Sequence, residues 1–262
     1  MSPTFLPDGS ITSPGGVRVT GIHSGLKATR DRDLGLLVFK TPCVAAAHLG
    51  ASSGTTGAWT TANLRRNPDD VRVILVLSGA NGGRGAEAVA ACDALAEMLA
   101  DEAWLKPHNV LLLGASDGET ALDLDLLRRA VPRALDELDS NGGRRLALAL
   151  AMPDQTPRMA ALEVTFAGDK KVLLGGLATA GPLARYLVTT NAAISSKLLK
   201  TALDHVLDKY PDLDQGSLVL LANGLADAPP CKRANDAQFK AWLAGLLALV
   251  AHLQTDQAGL RA

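Results

Sequence analysis

Short aliphatic runs bounded by turn residues alternate along the chain with segments whose apolar positions recur every three or four residues. The stretches "VRVTGI", "LGLLVF" and "VRVILVLSG" read as buried strands. Between the last two, residues 50–70, "GASSGTTGAWTTANLRRNPDD", are dominated by Gly, Ser and Thr and read as a long loop. From Arg84 the period changes: Val89, Cys92, Leu95 and Leu99 predict a helix that ends between Trp104 and Pro107. "NVLLLG" follows as a strand, and "ALDLDLLRRAVPRALDELD" as a helix that Pro132 kinks or bounds. "LALALA", "ALEVTFAG" and "KVLLGG" read as strands, the last two joined as a hairpin through Gly168–Asp169. In the last third, Leu199, Ala202, Leu203, Val206, Leu207 and Tyr210 make one face of a helix capped by Ser195 or Ser196. Phe239, Trp242, Leu243, Leu246, Leu247 and Val250 make another, with Asn235 as its N-cap, and "SLVLLANG" is a strand between the two.

Strands and helices alternating in this way, with hairpins among them, predict an α/β fold with mixed β-sheets layered with helices. The Pro-, Gly- and Ser-rich residues 1–16 read as an irregular lead-in. The remainder, 17–262, reads as a single α/β domain or as two packed lobes over about 17–175 and 176–262.

Composition narrows the partners. Aromatic residues are 3 % of the 262 and the net charge is −1, so neither base-stacking platforms nor a basic surface for nucleic acid or an anionic membrane is expected. No apolar run is long enough to span a bilayer, and the opening "MSPTFLPDGSITSPGG" lacks the pattern of a secretory signal. The spacing of Cys43, Cys92 and Cys231 suggests neither a zinc site nor a disulfide framework. A cytoplasmic protein without metal or cofactor is the expectation.

Candidate chemistry is sparse. His23, His48, His108, His205 and His252 share no ligand spacing and read as structural. "LSGANGGRGAEA", residues 77–88, puts Ser78 and Asn81 in a glycine-rich turn between a strand and a helix. Its spacing fits neither a dinucleotide fingerprint nor a P-loop. Ser116 follows a strand in "GASDGET" without the nucleophile-elbow pattern. Asp123 and Asp125 suit a helix start and carry no catalytic assignment.

Six stretches occur in one order that resembles the ornithine acetyltransferases, the bifunctional glutamate N-acetyltransferases of the arginine pathway. They are "GGVRVTGIHSGLK", "DRDLGLLVFKTPCVAAA", "VILVLSGANG", "EVTFAGDKKVLLGGLA", "LVTTNAAISSKLL" and "LVLLANG", running from residue 15 to about 224. The resemblance implies a similar α/β, DmpA-like fold, shortened at its C-terminal part. It also implies an ancestral chemistry, in which the chain cuts itself between Ala and Thr and the freed threonine carries acetyl from N-acetylornithine to glutamate. An N-terminal threonine can use its own amine as base.

Residue by residue, that chemistry does not carry over. The family's nucleophile segment lies between Gly-Gly-Ile-Ala and Ile-Thr-Thr-Asp-Ala-Ala-Ile-Ser. Here "GGLA" and "VTTNAAIS" are joined by "TAGPLARYL", and Thr179 stands where the family has a lysine. The region of Gly114, Ala115 and Ser116 lacks the Thr-Gly oxyanion pair, and "MPDQ" retains only Asp154 of a substrate-contacting run. The acidic motif of the family should fall near "DQAGLRA". The expectation is a truncated, non-catalytic relative that binds a small amino-acid-like ligand, with Asp154, Ser116, Ser78 and Asn81 as candidates, or a partner chain. Apolar surface uncovered by the lost portion would make it a homo-oligomer or a partner subunit. The alternative is an active acetyltransferase or amide hydrolase with Thr179, or a hydroxyl from a partner chain, as nucleophile. A further possibility is a ligand pocket among residues 50–61, "SGANGG" and "LATAGP".

Overall fold

The computed structural model describes residues 3–152, 155–181 and 183–255. In chain order its elements are β1 (Thr4–Phe5), β2 (Val17–Ile22), β3 (Leu34–Leu49), α1 (Gly54–Arg66), β4 (Val71–Ser78), α2 (Ala86–Glu102), β5 (Val110–Ala115), α3 (Leu124–Asp136) and α4 (Gly143–Leu150). Then come β6 (Pro157–Thr165), β7 (Lys171–Thr179), β8 (Arg185–Thr190), α5 (Ser196–Lys209), β9 (Ser217–Ala222) and α6 (Ala237–Leu253). The strands form one nine-stranded mixed sheet in the order β1-β6-β7-β8-β9-β3-β4-β5, with β2 on β3.

The long strand β3 gives the sheet its shape. Its first half pairs with β2 and β4, its second half with β9, and the register with β4 shifts between Val38 and Cys43. Pro42, which has no N–H to give a ladder, falls inside that irregularity, where a strand can bend. One strand thereby links two parts of the sheet.

Helices α2 and α3 cover β4 and β5 with Cys92, Leu95, Leu99, Leu127 and Val131. Helices α5 and α6 cover the β6–β9 side with Leu199, Leu203, Phe239, Trp242 and Leu246. A third core lies between, where Leu146, Ala147 and Leu150 of α4 meet Ile11, Leu37, Ile74, Leu177 and Leu187.

Three sequence expectations are corrected. Residues 54–66 are helix α1, not loop. Its polar residues face the edge of β5. Thr60 Oγ1 donates to Leu112 O (2.7 Å) and accepts from Leu112 N (2.9 Å), Thr56 Oγ1 accepts from Gly114 N (3.0 Å), and Asn63 Nδ2 donates to Val110 O (2.9 Å). A helix that satisfies an otherwise open strand edge with side chains needs Thr and Asn where a core helix has Leu. "LALALA" falls in helix α4 and the residue after it; buried on most sides, it alternates Leu and Ala without signalling a period. The N-cap position of α6 is Asp236 rather than Asn235, and its carboxylate accepts from Lys232 N and Arg233 N. The lead-in, mostly turns apart from the two residues of β1, is docked on the sheet: β1 pairs with β6, and Ile11 is fully buried.

The other features follow the pattern. The β6–β7 pair is an antiparallel hairpin turning at Gly168 and Asp169, both at positive φ. Pro132 lies inside α3, Asp123 caps that helix by accepting from Leu126 N, and Ser195 caps α5. No helix among the described residues is long and apolar enough to cross a membrane.

Candidate functional site

The two motif ends "GGLA" and "TTNAAIS" meet in the hairpin of β7 and β8. Ala178 pairs with Tyr186 on one side and with Arg158 on the other, so the Ala178–Thr179 peptide is held in a strand. Thr179 is 1 % exposed, and its Oγ1 accepts a hydrogen bond from Arg185 N at 3.0 Å. The hydroxyls of the second motif are bonded in the same way. Thr190 Oγ1 donates to Leu173 O (2.8 Å) and accepts from the indole of Trp242 (3.2 Å), and Thr189 Oγ1 donates to Ile11 O. Asn191 Oδ1 accepts from Leu173 N (2.8 Å). These threonines fasten the sheet to the lead-in and to α6.

At the first position of β8 stands Arg185, whose side chain points into the core. Nη2 donates to Ser78 Oγ at 2.7 Å; Ser78 Oγ in turn donates to Ala149 O at 2.6 Å, at the C-terminal end of α4. Lys27, 7 % exposed, donates to Ala151 O (2.6 Å) and Arg32 O (2.9 Å). Two cations therefore share the negative end of one helix. Burial drives the Arg185 guanidinium down to about 9. Burial, then the nearby Arg185 charge, lowers the Lys27 ammonium, against an upward pull from Asp33.

The motif "GIHSGLK" wraps around Asp33, which is fully buried. The carboxylate accepts from Ser24 N (2.6 Å), Ser24 Oγ (2.7 Å), Gly25 N (3.0 Å) and Lys27 N (3.1 Å). That cage fixes the backbone from which Lys27 reaches α4.

The Arg185 charge has a consequence for stability. With the folded pKa lowered to about 9, well below its value in the unfolded chain, the unfolded chain holds the proton more tightly in the window between the two. The burden on the fold is thus complete below pH 9 and is relieved as pH rises through that window. Arg185→Met is expected to raise unfolding free energy by on the order of a few kcal/mol at pH 7, since Ser78 keeps its carbonyl acceptor. Urea unfolding of both proteins from pH 7 to 10.5 checks it: the gap should narrow at the alkaline end.

A cavity of about 540 Å³ opens where residues 51–58, the glycine-rich turn after β4 and the turn after β5 converge, with Leu183 beside them. Two of the three segments expected to form a pocket thus meet here, and Leu183 directly follows the third, "LATAGP". Of the expected ligand-binding residues, Ser116 and Asn81 line it, with Arg84 and Glu119 paired at 2.7 Å. Asn81 is fully engaged: Nδ2 donates to Ser52 O and Gly118 O, and Oδ1 accepts from Gly83 N and Thr120 N. Its amide ties three loops together and has no capacity left for a ligand. Ser116 Oγ shares a hydrogen bond of 2.8 Å with Thr120 Oγ1. Ser78 lies outside this cavity, against Arg185. Asp154, Pro153, Pro182 and the "DQAGLRA" stretch are outside the described residues. In the region of Gly114, Ala115 and Ser116, to which the resemblance assigns the oxyanion pair, Gly114 gives its N–H to Thr56. Among the described residues, no three His, Cys, Asp or Glu gather as a metal site.

The sequence profile of the ArgJ family matches residues 18–259. The chain belongs to the ArgJ family. It is 29 % identical over 238 residues to the arginine biosynthesis bifunctional protein ArgJ 1 of Nostoc sp., covering 84 % of this chain and 57 % of that protein. It is 28 % identical over 252 residues to the ArgJ of Dehalococcoides mccartyi, covering 86 % and 59 %. The chain thus spans under two thirds of the length of these curated relatives. Among solved structures, the ArgJ of Bacillus halodurans superposes with a TM-score of 0.60 at 22 % identity, covering 67 % of this chain and 92 % of that one. The ornithine acetyltransferase of Mycobacterium tuberculosis, solved with ornithine, gives 0.57 at 24 %, covering 67 % and 94 %. The L-aminopeptidase D-Ala-esterase/amidase of Ochrobactrum anthropi, a variant of the Ntn hydrolase fold, gives 0.57 at 13 %, covering 97 % and 87 %. At these identities the structures share the fold.

Sequence reasoning passed over Arg185 and the Lys27–Asp33 cage. A charged residue between small and aliphatic neighbours in "GPLARYLVTT" was the available signal for the first. The small-residue turn "HSGLK" with "DRD" just after it was the signal for the second.

Proposed function

We propose that the chain is a non-catalytic branch of the arginine-pathway acetyltransferase lineage, retaining the fold to hold a small amino-acid-like ligand or a partner chain, a second copy included. One observation carries this reading. Thr179, the threonine of the Ala-Thr dipeptide, sits buried inside β7 with its hydroxyl accepting from Arg185 N. A nucleophilic hydroxyl needs a base within hydrogen-bond reach and donors around a developing oxyanion. Here the bonded neighbour is a backbone amide, and the N–H of Gly114 is committed to Thr56. The cavity lined by Ser116, Arg84 and Glu119 is large enough for an amino acid and carries both charge signs at its rim.

The test is acetyl transfer. Incubated with N-acetylornithine and glutamate, the protein is expected to form no N-acetylglutamate above the level of a Thr179→Val variant. Turnover by the wild-type chain that Thr179→Val abolishes would overturn the reading.

A further inference from the structure

Pairing between β3 and β4 ends at Cys43 and Val71, and from there on β3 has a strand neighbour on one side only, β9. Alternation along the strand decides which backbone groups face the open side. Gly50 N donates to Gly216 O, on the β9 side, whereas Ala45 N donates to Pro68 O at 2.7 Å, away from β9. Ala47, two residues on from Ala45, turns its N–H and C=O the same way as Ala45. Among the described residues neither group has a partner. Unspent backbone groups on a sheet edge are the template on which a further extended chain pairs.

A hollow of about 330 Å³ lies against that edge, between α1 and α5, lined by Ala47 and by the apolar side chains of Leu64 and Pro68. Two cations, Arg65 and Lys200, also line it, and no Asp or Glu does. Lys200 is matched by Asp204 at 2.6 Å. Arg65 is exposed and has neither an ion pair nor a hydrogen bond among the described residues. An amide N–H, a carbonyl and an unmatched guanidinium around an apolar, acid-free hollow select a definite order of groups in a ligand. In an antiparallel ladder, one residue gives its N–H to, and accepts through its C=O from, the same opposite residue. At the end of a chain that accepting oxygen belongs to the α-carboxylate, whose second oxygen remains for a guanidinium. A residue inside a chain has no backbone charge to offer there.

We propose that this hollow binds the C-terminal residue of an extended peptide chain whose last side chain is apolar. The residue's N–H donates to Ala47 O, one carboxylate oxygen accepts from Ala47 N and the other from Arg65, and the side chain rests on Leu64 and Pro68. The peptide thus adds one residue of strand where β4 leaves β3. The site is separate from Thr179 and from the cavity beside Ser116, so it does not depend on whether the protein transfers acetyl groups.

The test titrates three dipeptide probes into the isotope-labelled wild-type protein, followed by NMR. The first is N-acetyl-Ala-Val with a free carboxylate; it is expected to move the Ala47 amide resonance and to slow hydrogen exchange there. The second is its carboxamide, which lacks the anion, and the third is N-methylated at the valine, which removes the N–H. Each of these should bind about tenfold more weakly than the first. Arg65→Met, a change at an exposed position, should cost about tenfold for the acid and leave the carboxamide unaffected. Arg66→Met, next to it but outside the hollow, should change neither. An Ala47 amide that does not respond to millimolar acid overturns the proposal, as do equal affinities for the three probes or a preference for the acid that survives Arg65→Met.

Discussion

Asp33→Ala is expected to lower the unfolding free energy by about 3–5 kcal/mol, among the largest effects of a single change in this protein. The buried carboxylate is the acceptor for three backbone N–H groups, of Ser24, Gly25 and Lys27, and for the Ser24 hydroxyl. An alanine methyl offers none of them a replacement, and Lys27 loses the negative charge that favours its ammonium. The neighbourhood amplifies the damage. Asp33 N donates to Ile22 O and Asp33 O accepts from Ser78 N, so a disturbed loop is transmitted to β2 and to the end of β4. Asp33→Asn keeps the shape and one acceptor oxygen, and should lose roughly half as much. Urea unfolding of the three proteins checks the order; a loss for alanine under about 1 kcal/mol would contradict the cage.

Gly175→Val is the second large effect, at about 3 kcal/mol or more. A Cβ at this glycine would lie 2.1 Å from Ser10 O and 3.0 Å from both Ile11 Cα and Pro14 Cδ. These are backbone and ring atoms of the lead-in, which cannot turn aside as a side-chain tip can. The valine must expel that segment from β7, taking the fully buried Ile11 out of the core and the Thr189 hydroxyl off its Ile11 acceptor. Gly176→Ala is the matched control. Its nearest contacts, Leu253 Cδ1 at 2.7 Å and Leu249 Cδ2 at 3.2 Å, are ends of flexible side chains, and the cost should be smaller. Limited proteolysis reads the difference: Gly175→Val should be cut within residues 1–16 long before the rest, and Gly176→Ala should resist. Equal resistance would mean that the double glycine is not there to admit the lead-in.

Both positions show what the sequence could disclose. The aliphatic runs of β2, β4, β5 and β9 and the one-sided faces of α2, α5 and α6 were legible because burial on one or both faces leaves a periodic trace. Helix α1 was not: its inward face bonds a strand edge through Thr56, Thr60 and Asn63, so it is polar where a helix is usually apolar. Spacings of four and three residues were the trace it left. For α4 the signal failed differently: within "LALALA" the exposed position is Leu148 rather than a polar residue, and the arginines of the exposed side, Arg144 and Arg145, lie just before that stretch. At the candidate site, Ser116 and Asn81 share one cavity, as glycine-rich turns at strand ends suggested. The partners of Arg185 come from β4, 107 and 108 positions away in the chain, and no local pattern announces a contact of that span.

The account turns on whether Ala178–Thr179 remains an ordinary strand peptide. Intact-mass analysis of the purified protein after prolonged incubation at neutral pH measures this directly. A single uncut chain, 27.2 kDa for the 262 residues, is the predicted result. Two fragments, the second beginning with a free amine at Thr179, would contradict it.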